Sequence, residues 1–154
     1  MSTQEIYNFK QINDHTITGG QPTEAQLRAA ADEGFATVIN LATVDPRYSL
    51  PDEAGLVREL GMQYVHIPVE WGNPQKEDFA AFATAMDTAV YHKTLIHCAA
   101  NYRVTAFYSL YAMKRLGWSA EQADDLMAHV WKPGEYRVWD EFVQNVRAEI
   151  TKGG

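Results

Sequence analysis

With 154 residues, 46% of them hydrophobic and 21% charged, the chain is long enough for a substantial core, and residues 1–154 are expected to form a single domain. A net charge of −7 and a pI near 5.1 exclude general nucleic-acid binding, which needs a basic face, while leaving room for a small positive pocket. One cysteine excludes an internal disulfide and any CxxC zinc pair, and the five histidines show no HExxH spacing, so neither metal nor other cofactor is implied.

The opening, "MSTQEIYNFKQ", lacks the basic-then-apolar pattern of a signal peptide, and no apolar run approaches the ~18 to 20 residues of a membrane span. A cytoplasmic protein without a membrane partner is the expectation. The segment "IYNFKQINDHTITGGQP" predicts one or two short strands with a turn near Asn13-Asp14. A repeated unit follows, in which a helix and a glycine precede an apolar strand. "TEAQLRAAADEG" runs into "FATVINLA", "PDEAGLVRELG" into "MQYVHIPV", and "KEDFAAFATAMDTAVYH" into "KTLIHCAA". Thr23 with Gln26 three residues on forms a capping-box pattern, and Gly34 and Gly61 stand where left-handed C-caps end helices. Near-continuous apolar strands imply a sheet covered on both faces, and the alternation implies parallel strands with right-handed crossovers. The expected fold is a three-layer α/β/α sandwich around a mainly parallel sheet.

"VTAFYSLYAMKRLG" is apolar on most sides and predicts a buried helix. Ser119 and Gln122 form a second capping-box pattern before "AEQADDLMAHVW". "KPGE" breaks the pattern, and "YRVWDEFVQNVRAEI" predicts a last amphipathic helix, anchored by Trp131, Tyr136 and Trp139. Asp124 and Asp125 read as a solvated helix face, and His66 as a satisfied core histidine in a buried strand.

The stretch "HCAANYRVT" then falls at the carboxyl end of a parallel strand and the start of a buried helix, where open α/β sheets bind ligands. The first amides of a helix have no internal partner and carry the positive end of its dipole, so they bind anions. A cysteine placed there becomes thiolate more easily, and an arginine adds a planar fork for two oxygens of a phosphate. Cys98 and Arg103 therefore supply a nucleophile and an oxyanion clamp. Ala99, Ala100, Asn101, Tyr102, Arg103, Val104 and Thr105 are the expected binding segment. Asn101 suits a left-handed turn, Thr105 is placed to donate a hydroxyl proton to the thiolate, and His97 is expected to hold the loop through backbone bonds. Against this stands the plainer reading of Cys98 as a small buried hydrophobe.

"HCAANYRVT" resembles the signature of cysteine-dependent protein phosphatases, H-C-x2-G-x2-R-[ST]. His97, Cys98 and Thr105 match, Asn101 stands in place of glycine, and Arg103 comes one residue early, giving C-x4-R rather than C-x5-R. "TITGGQPTEAQL" with "GFATVINLA", and "LGMQYVHIPVEW" with "PQKEDFAAF", extend the resemblance to the bacterial dual-specificity-phosphatase-like family, some members of which are fused to β-lactamase-like hydrolases. It implies phosphomonoester hydrolysis through a cysteinyl-phosphate, on a phosphorylated small molecule or phosphoprotein. The C-x4-R spacing is similar to that of rhodanese sulfurtransferases, which implies a Cys98 persulfide as the alternative. A non-catalytic phosphate- or phosphopeptide-binding module is the third reading. Hydrolysis needs an acid for the leaving oxygen. Two loops at this edge offer one: Glu70, within Glu70-Trp71-Gly72-Asn73-Pro74, and Asp45, within Val44-Asp45-Pro46-Arg47. Trp71 either lines the pocket mouth or packs in the core.

Overall fold

A computed structural model describes residues 2–89, 91–132 and 134–152. Five strands form one sheet in the order β1-β2-β5-β3-β4. Strand β1 (Lys10–Asn13) lies antiparallel to β2 (Thr16–Gly19). Strands β2, β5 (Thr94–His97), β3 (Thr37–Asn40) and β4 (Gln63–His66) are all parallel. The register places Gly19 and Asn40 on either side of His97, and His66 beside Asn40. All four parallel strands therefore end level, and their outgoing loops gather at one edge.

The period-2 alternation of the strands divides the core. Ile17, Val38 and Leu95 face helices α1 (Glu24–Asp32) and α2 (Glu53–Glu59). Ile39 and Ile96 face α3 (Lys76–Ala89), α4 (Tyr102–Arg115), α5 (Ala120–Ala128) and α6 (Arg137–Lys152). The mainly parallel α/β/α sandwich expected from the sequence is the fold. Both capping boxes form: Thr23 accepts from the Gln26 amide while the Gln26 side chain accepts from the Thr23 amide, and Ser119 and Gln122 repeat the arrangement. Gly34 and Gly61 adopt φ of +91° and +85°, the left-handed C-cap conformation. Val90 of the third expected helix and Pro133 of "KPGE" lie outside the described residues. No helix among the described residues is long and apolar enough to cross a membrane.

Two expectations are corrected. Strand β4 is an edge strand, so its outer side lacks a covering layer and His66 is exposed, with a ring nitrogen 2.7 Å from the Ala42 carbonyl. Asp124 is exposed but not merely solvated, since it accepts from Arg147 of α6 at 2.6 Å.

Helix α4 is the central element of its layer. Every residue from Arg103 to Ala112 is buried, because the sheet, α3, α5 and α6 cover it on all sides. Phe107 sits at its middle, stacked on Phe142 at 5.6 Å and edge-on to Phe79 and Phe82. Removing it leaves a void between three helices, whereas the Thr23 cap is local. Urea denaturation should show Phe107→Ala losing about 3–5 kcal/mol, and Thr23→Ala about 1 kcal/mol.

Candidate active site at the end of strand β5

The Cys98 amide makes the last ladder bond, to the Gly19 carbonyl at 3.3 Å. Beyond it, three successive carbonyls are pinned from outside the loop. The Cys98 carbonyl is 3.3 Å from His97 Nδ1, the Ala99 carbonyl accepts from the Gln21 amide at 3.0 Å, and the Ala100 carbonyl accepts from Asn8 Nδ2 at 2.9 Å. In a trans peptide the N–H points opposite to its C=O. Pinning these carbonyls therefore turns the amides of residues 99, 100 and 101 to the other side. Asn101 then takes φ +72°, and its Nδ2 donates to the Asn8 carbonyl at 2.8 Å and to Thr18 Oγ1 at 3.0 Å. Helix α4 begins at the next residue, and its first internal bond is from the Thr105 amide to the Asn101 carbonyl. Gly20 and Ala100 form an isolated antiparallel bridge that engages the Asn101 amide, while the amides of residues 99, 100 and 102–104 meet no backbone acceptor among the described residues.

The close approach of β2 to this loop requires a glycine. A Cβ on Gly20 would lie 2.6 Å from the Ala99 carbonyl oxygen and 3.2 Å from the Ala100 Cα. "TGGQP" is thus the outer wall of the loop.

A pocket of about 260 Å³ opens over the loop. Cys98, Ala99, Ala100, Tyr102 and Arg103 form its floor, with Trp71 and Tyr136 across from them. Cys98 is 1% exposed and Arg103 5%. Arg103 Nη1 donates to the Val69 carbonyl at 2.8 Å, which holds the guanidinium at the pocket and leaves its other donors for a ligand. Trp71 is 36% exposed, packs edge-on to Tyr136 at 4.9 Å, and its carbonyl accepts from Trp139 Nε1 at 2.7 Å. Trp71 therefore both lines the mouth and packs on the last helix. Tyr136, expected only as an anchor, lines the pocket as well. A larger hollow of about 630 Å³ between α3, α4 and α6 contains neither cysteine nor histidine, so chemistry and not size selects the site.

The remaining candidates are placed as follows. Thr105 does not serve the thiolate: its hydroxyl donates to the Tyr102 carbonyl at 3.1 Å and accepts from Trp131 Nε1 at 3.2 Å. Val104 is fully buried, packed in the larger core. Glu70 is exposed, between Val69, which holds Arg103, and Trp71, which lines the pocket. Asp45 does not line the pocket. It is bonded to Arg47 at 2.6 Å, and these bonds hold its carboxyl at about 2.

One element went unnoticed in the sequence. Glu53, the first residue of α2, lies 2.6 Å from His97 Nε2 in the interior, with side chains 6% and 0% exposed. Its other oxygen accepts from Gln21 Nε2 at 2.7 Å. Burial alone would raise the Glu53 carboxyl, but the bonds and charge of His97, with the bonds of Gln21 and Tyr64, outweigh it and the net shift is downward. The signals available were Gln21 in "GGQP" and a glutamate at a helix start, neither of which points to the other.

A parallel sheet that delivers a cysteine to a helix N-terminus, with an arginine beside it, is the fold of phosphatases of the protein-tyrosine and dual-specificity type. The chain belongs to the family described as DSP-PTPase phosphatase fused to NAD+ kinase, whose model matches residues 2–141. It is 35% identical to a DUF442 protein of Shewanella putrefaciens CN-32, named provisionally as a phosphatase, covering 96% of this chain and 95% of that one with a TM-score of 0.87. The fold is shared with Tk-PTP in its active form (21% identity, 94% and 97% covered, TM-score 0.71). It is shared too with the catalytic core of the PP-IP phosphatase SIW14 of S. cerevisiae, solved with citrate (12% identity, 96% and 93% covered, TM-score 0.70). No curated protein matches the chain.

Two outcomes follow from this geometry. Gly20→Ala should push the Ala99 carbonyl from its pin, lowering stability by about 1–3 kcal/mol in urea melts and weakening phosphate binding by calorimetry. The Glu53 carboxyl lies lower folded than its ordinary 4.5, so the unfolded chain binds the extra proton. Its contribution is complete above that value and is lost as pH falls through the folded one. Thermal melts from pH about 3 to about 6 should show this acid-side slope flattened in Glu53→Gln.

Proposed function

We propose that the chain hydrolyses phosphomonoesters with Cys98 as nucleophile. The observation that carries this reading is the set of open amides at residues 99, 100 and 102–104, above a buried cysteine and beside Arg103. Three equatorial phosphoryl oxygens are received by these amides and by the free donors of Arg103. The Cys98 thiolate attacks phosphorus as the ester P–O bond breaks, and the leaving oxygen takes a proton from Glu70. Water then attacks phosphorus, Glu70 recovers a proton from it, the S–P bond breaks, and phosphate leaves with the thiolate restored.

Glu70 is the acid favoured over Asp45. It sits on the segment that both contacts Arg103 and lines the pocket, whereas Asp45 lies outside the pocket with its carboxylate engaged by Arg47. Trp71 and Tyr136 flank the position of the leaving group, which fits an alcohol with a flat or apolar body, on a small molecule or on a protein side chain.

The test is p-nitrophenyl phosphate turnover. Cys98→Ser should abolish it, Arg103→Ala should lower it about 10²- to 10³-fold, and Glu70→Gln about 10²- to 10⁴-fold. Asp45→Asn should leave it near wild type. Equal rates for wild type and Cys98→Ser would sink the reading. A Cys98 persulfide formed from thiosulfate, without phosphate release from any ester, would replace it with sulfur transfer.

A further inference from the structure

Of the three carbonyl pins that orient the loop amides, two lead back to a single carboxylate. Glu53 Oε2 lies 2.6 Å from His97 Nε2, and His97 Nδ1 lies 3.3 Å from the Cys98 carbonyl. Glu53 Oε1 accepts from Gln21 Nε2 at 2.7 Å, and the Gln21 amide donates to the Ala99 carbonyl at 3.0 Å. A carboxylate oxygen only accepts, so His97 donates to Glu53 through Nε2, while Nδ1 faces the Cys98 carbonyl. The dyad is sealed beneath the loop, and neither member lines the Cys98 pocket.

We propose that Glu53 is a positioning residue for the anion cradle, setting the direction of the Ala99 and Ala100 amides through His97 and Gln21 and so supporting the Cys98 thiolate. Glu53 touches neither Cys98 nor the pocket; it acts only by fixing two peptide planes. This rests on the reading of Cys98 as nucleophile, but its test reads the thiolate and the cradle without turnover. Glutamine at this position keeps the size of Glu53 but offers one acceptor instead of two, and its NH2 opposes a donor. One of the two arms is therefore lost.

The titratable and charged groups around the dyad are Tyr64 of β4, whose hydroxyl is raised by burial first and by Glu53, and Arg58 of α2, which acts on Tyr64. Around Cys98 they are Arg103, Tyr102 and Tyr136. His97 also faces the Cys98 carbonyl, and of all these groups only His97 is altered in the variants below.

Because the chain has one cysteine, ultraviolet absorbance against pH, with Cys98→Ser as blank, titrates this thiolate alone. Calorimetry with inorganic phosphate reads the cradle. Glu53→Gln should raise the thiolate midpoint by about one unit, equivalent to about tenfold less thiolate below it. It should weaken phosphate by about tenfold, as expected when oriented donors are released. In a background of His97→Asn with Gln21→Ala, where both arms are cut, Glu53→Gln should change neither. Unaltered midpoint and phosphate affinity in Glu53→Gln, at any melting temperature, would make the dyad a core ion pair only and overturn the proposal. Equal shifts with and without the arms would overturn it too. Should Glu53→Gln not fold, His97→Asn and Gln21→Ala alone should each weaken phosphate about threefold, and no change in either defeats the idea. Low-midpoint thiolate that responds to Glu53 in a protein without phosphatase turnover would sustain this inference while removing the proposed reaction.

Discussion

The site depends on a backbone constraint: carbonyls turned outward so that amides turn inward. A free loop would satisfy its N–H groups with its own carbonyls or side chains, because an unpaired buried polar group is costly. Here the carbonyls of residues 98 to 100 are occupied by His97, Gln21 and Asn8, and the amides of residues 99 and 100 are left without backbone partners. The two described non-glycine residues with positive φ, Asn8 and Asn101, are bonded to each other's segment. Left-handed backbone at such residues is tolerated only where its surroundings over-determine it, and these two side chains do so reciprocally. The anion cradle is thus assembled by the N-terminal segment as much as by the loop itself.

That constraint explains why so much of the molecule is rigid around one short turn. Burying ten successive residues of α4 gives the helix one position relative to the sheet, and so one position for its first turn. Each large apolar side chain buried contributes about 1.5–3 kcal/mol, and the aromatic cluster of Phe107, Phe142, Trp139 and Trp71 extends this packing to the pocket mouth. The polar side of the sheet is organised differently. Glu53, His97 and Gln21 form a buried network in which every charged oxygen has a donor, the condition under which a buried ion pair is tolerated.

The sandwich was legible in the sequence because its signals are local: capping boxes at Thr23 and Ser119, glycines at helix ends, and apolar runs through the strands. The cysteine loop was legible because strand, Cys98, Asn101 and Arg103 are contiguous. Strand order was not, since nothing local marks β4 as an edge, and His66 was accordingly misplaced in the core. The pins were not legible either. Asn8 and Ala100 are 92 residues apart, and Glu53 and His97 are 44 apart. A glutamate in the first turn of a helix is accounted for by the dipole alone, so composition gives no reason to bury it. Thr105 matched a signature position, yet its hydroxyl is engaged by Tyr102 and Trp131; a motif specifies residue types, whereas hydrogen bonds are settled by neighbours that arrive from elsewhere in the chain.

The C-x4-R spacing has a structural meaning of its own. The left-handed residue, Asn101, keeps its place three positions after the cysteine and Thr105 its place seven after, so no residue is missing and only the arginine is shifted, to the helix start. One residue in a helix is about 100° of rotation and about 1.5 Å of rise. The position where C-x5-R would place arginine is held by Val104, which faces the core and is fully buried. An arginine there would bury its charge in the apolar core, so the clamp has to come from Arg103, one step earlier on the helix. The early arginine moves the clamp and leaves the first half of the cradle in place. From its position Arg103 reaches the Val69 carbonyl, one residue before Glu70 and two before Trp71. The altered spacing therefore ties the anion clamp to the segment that forms the pocket's far wall, and the geometry of one is set by the other.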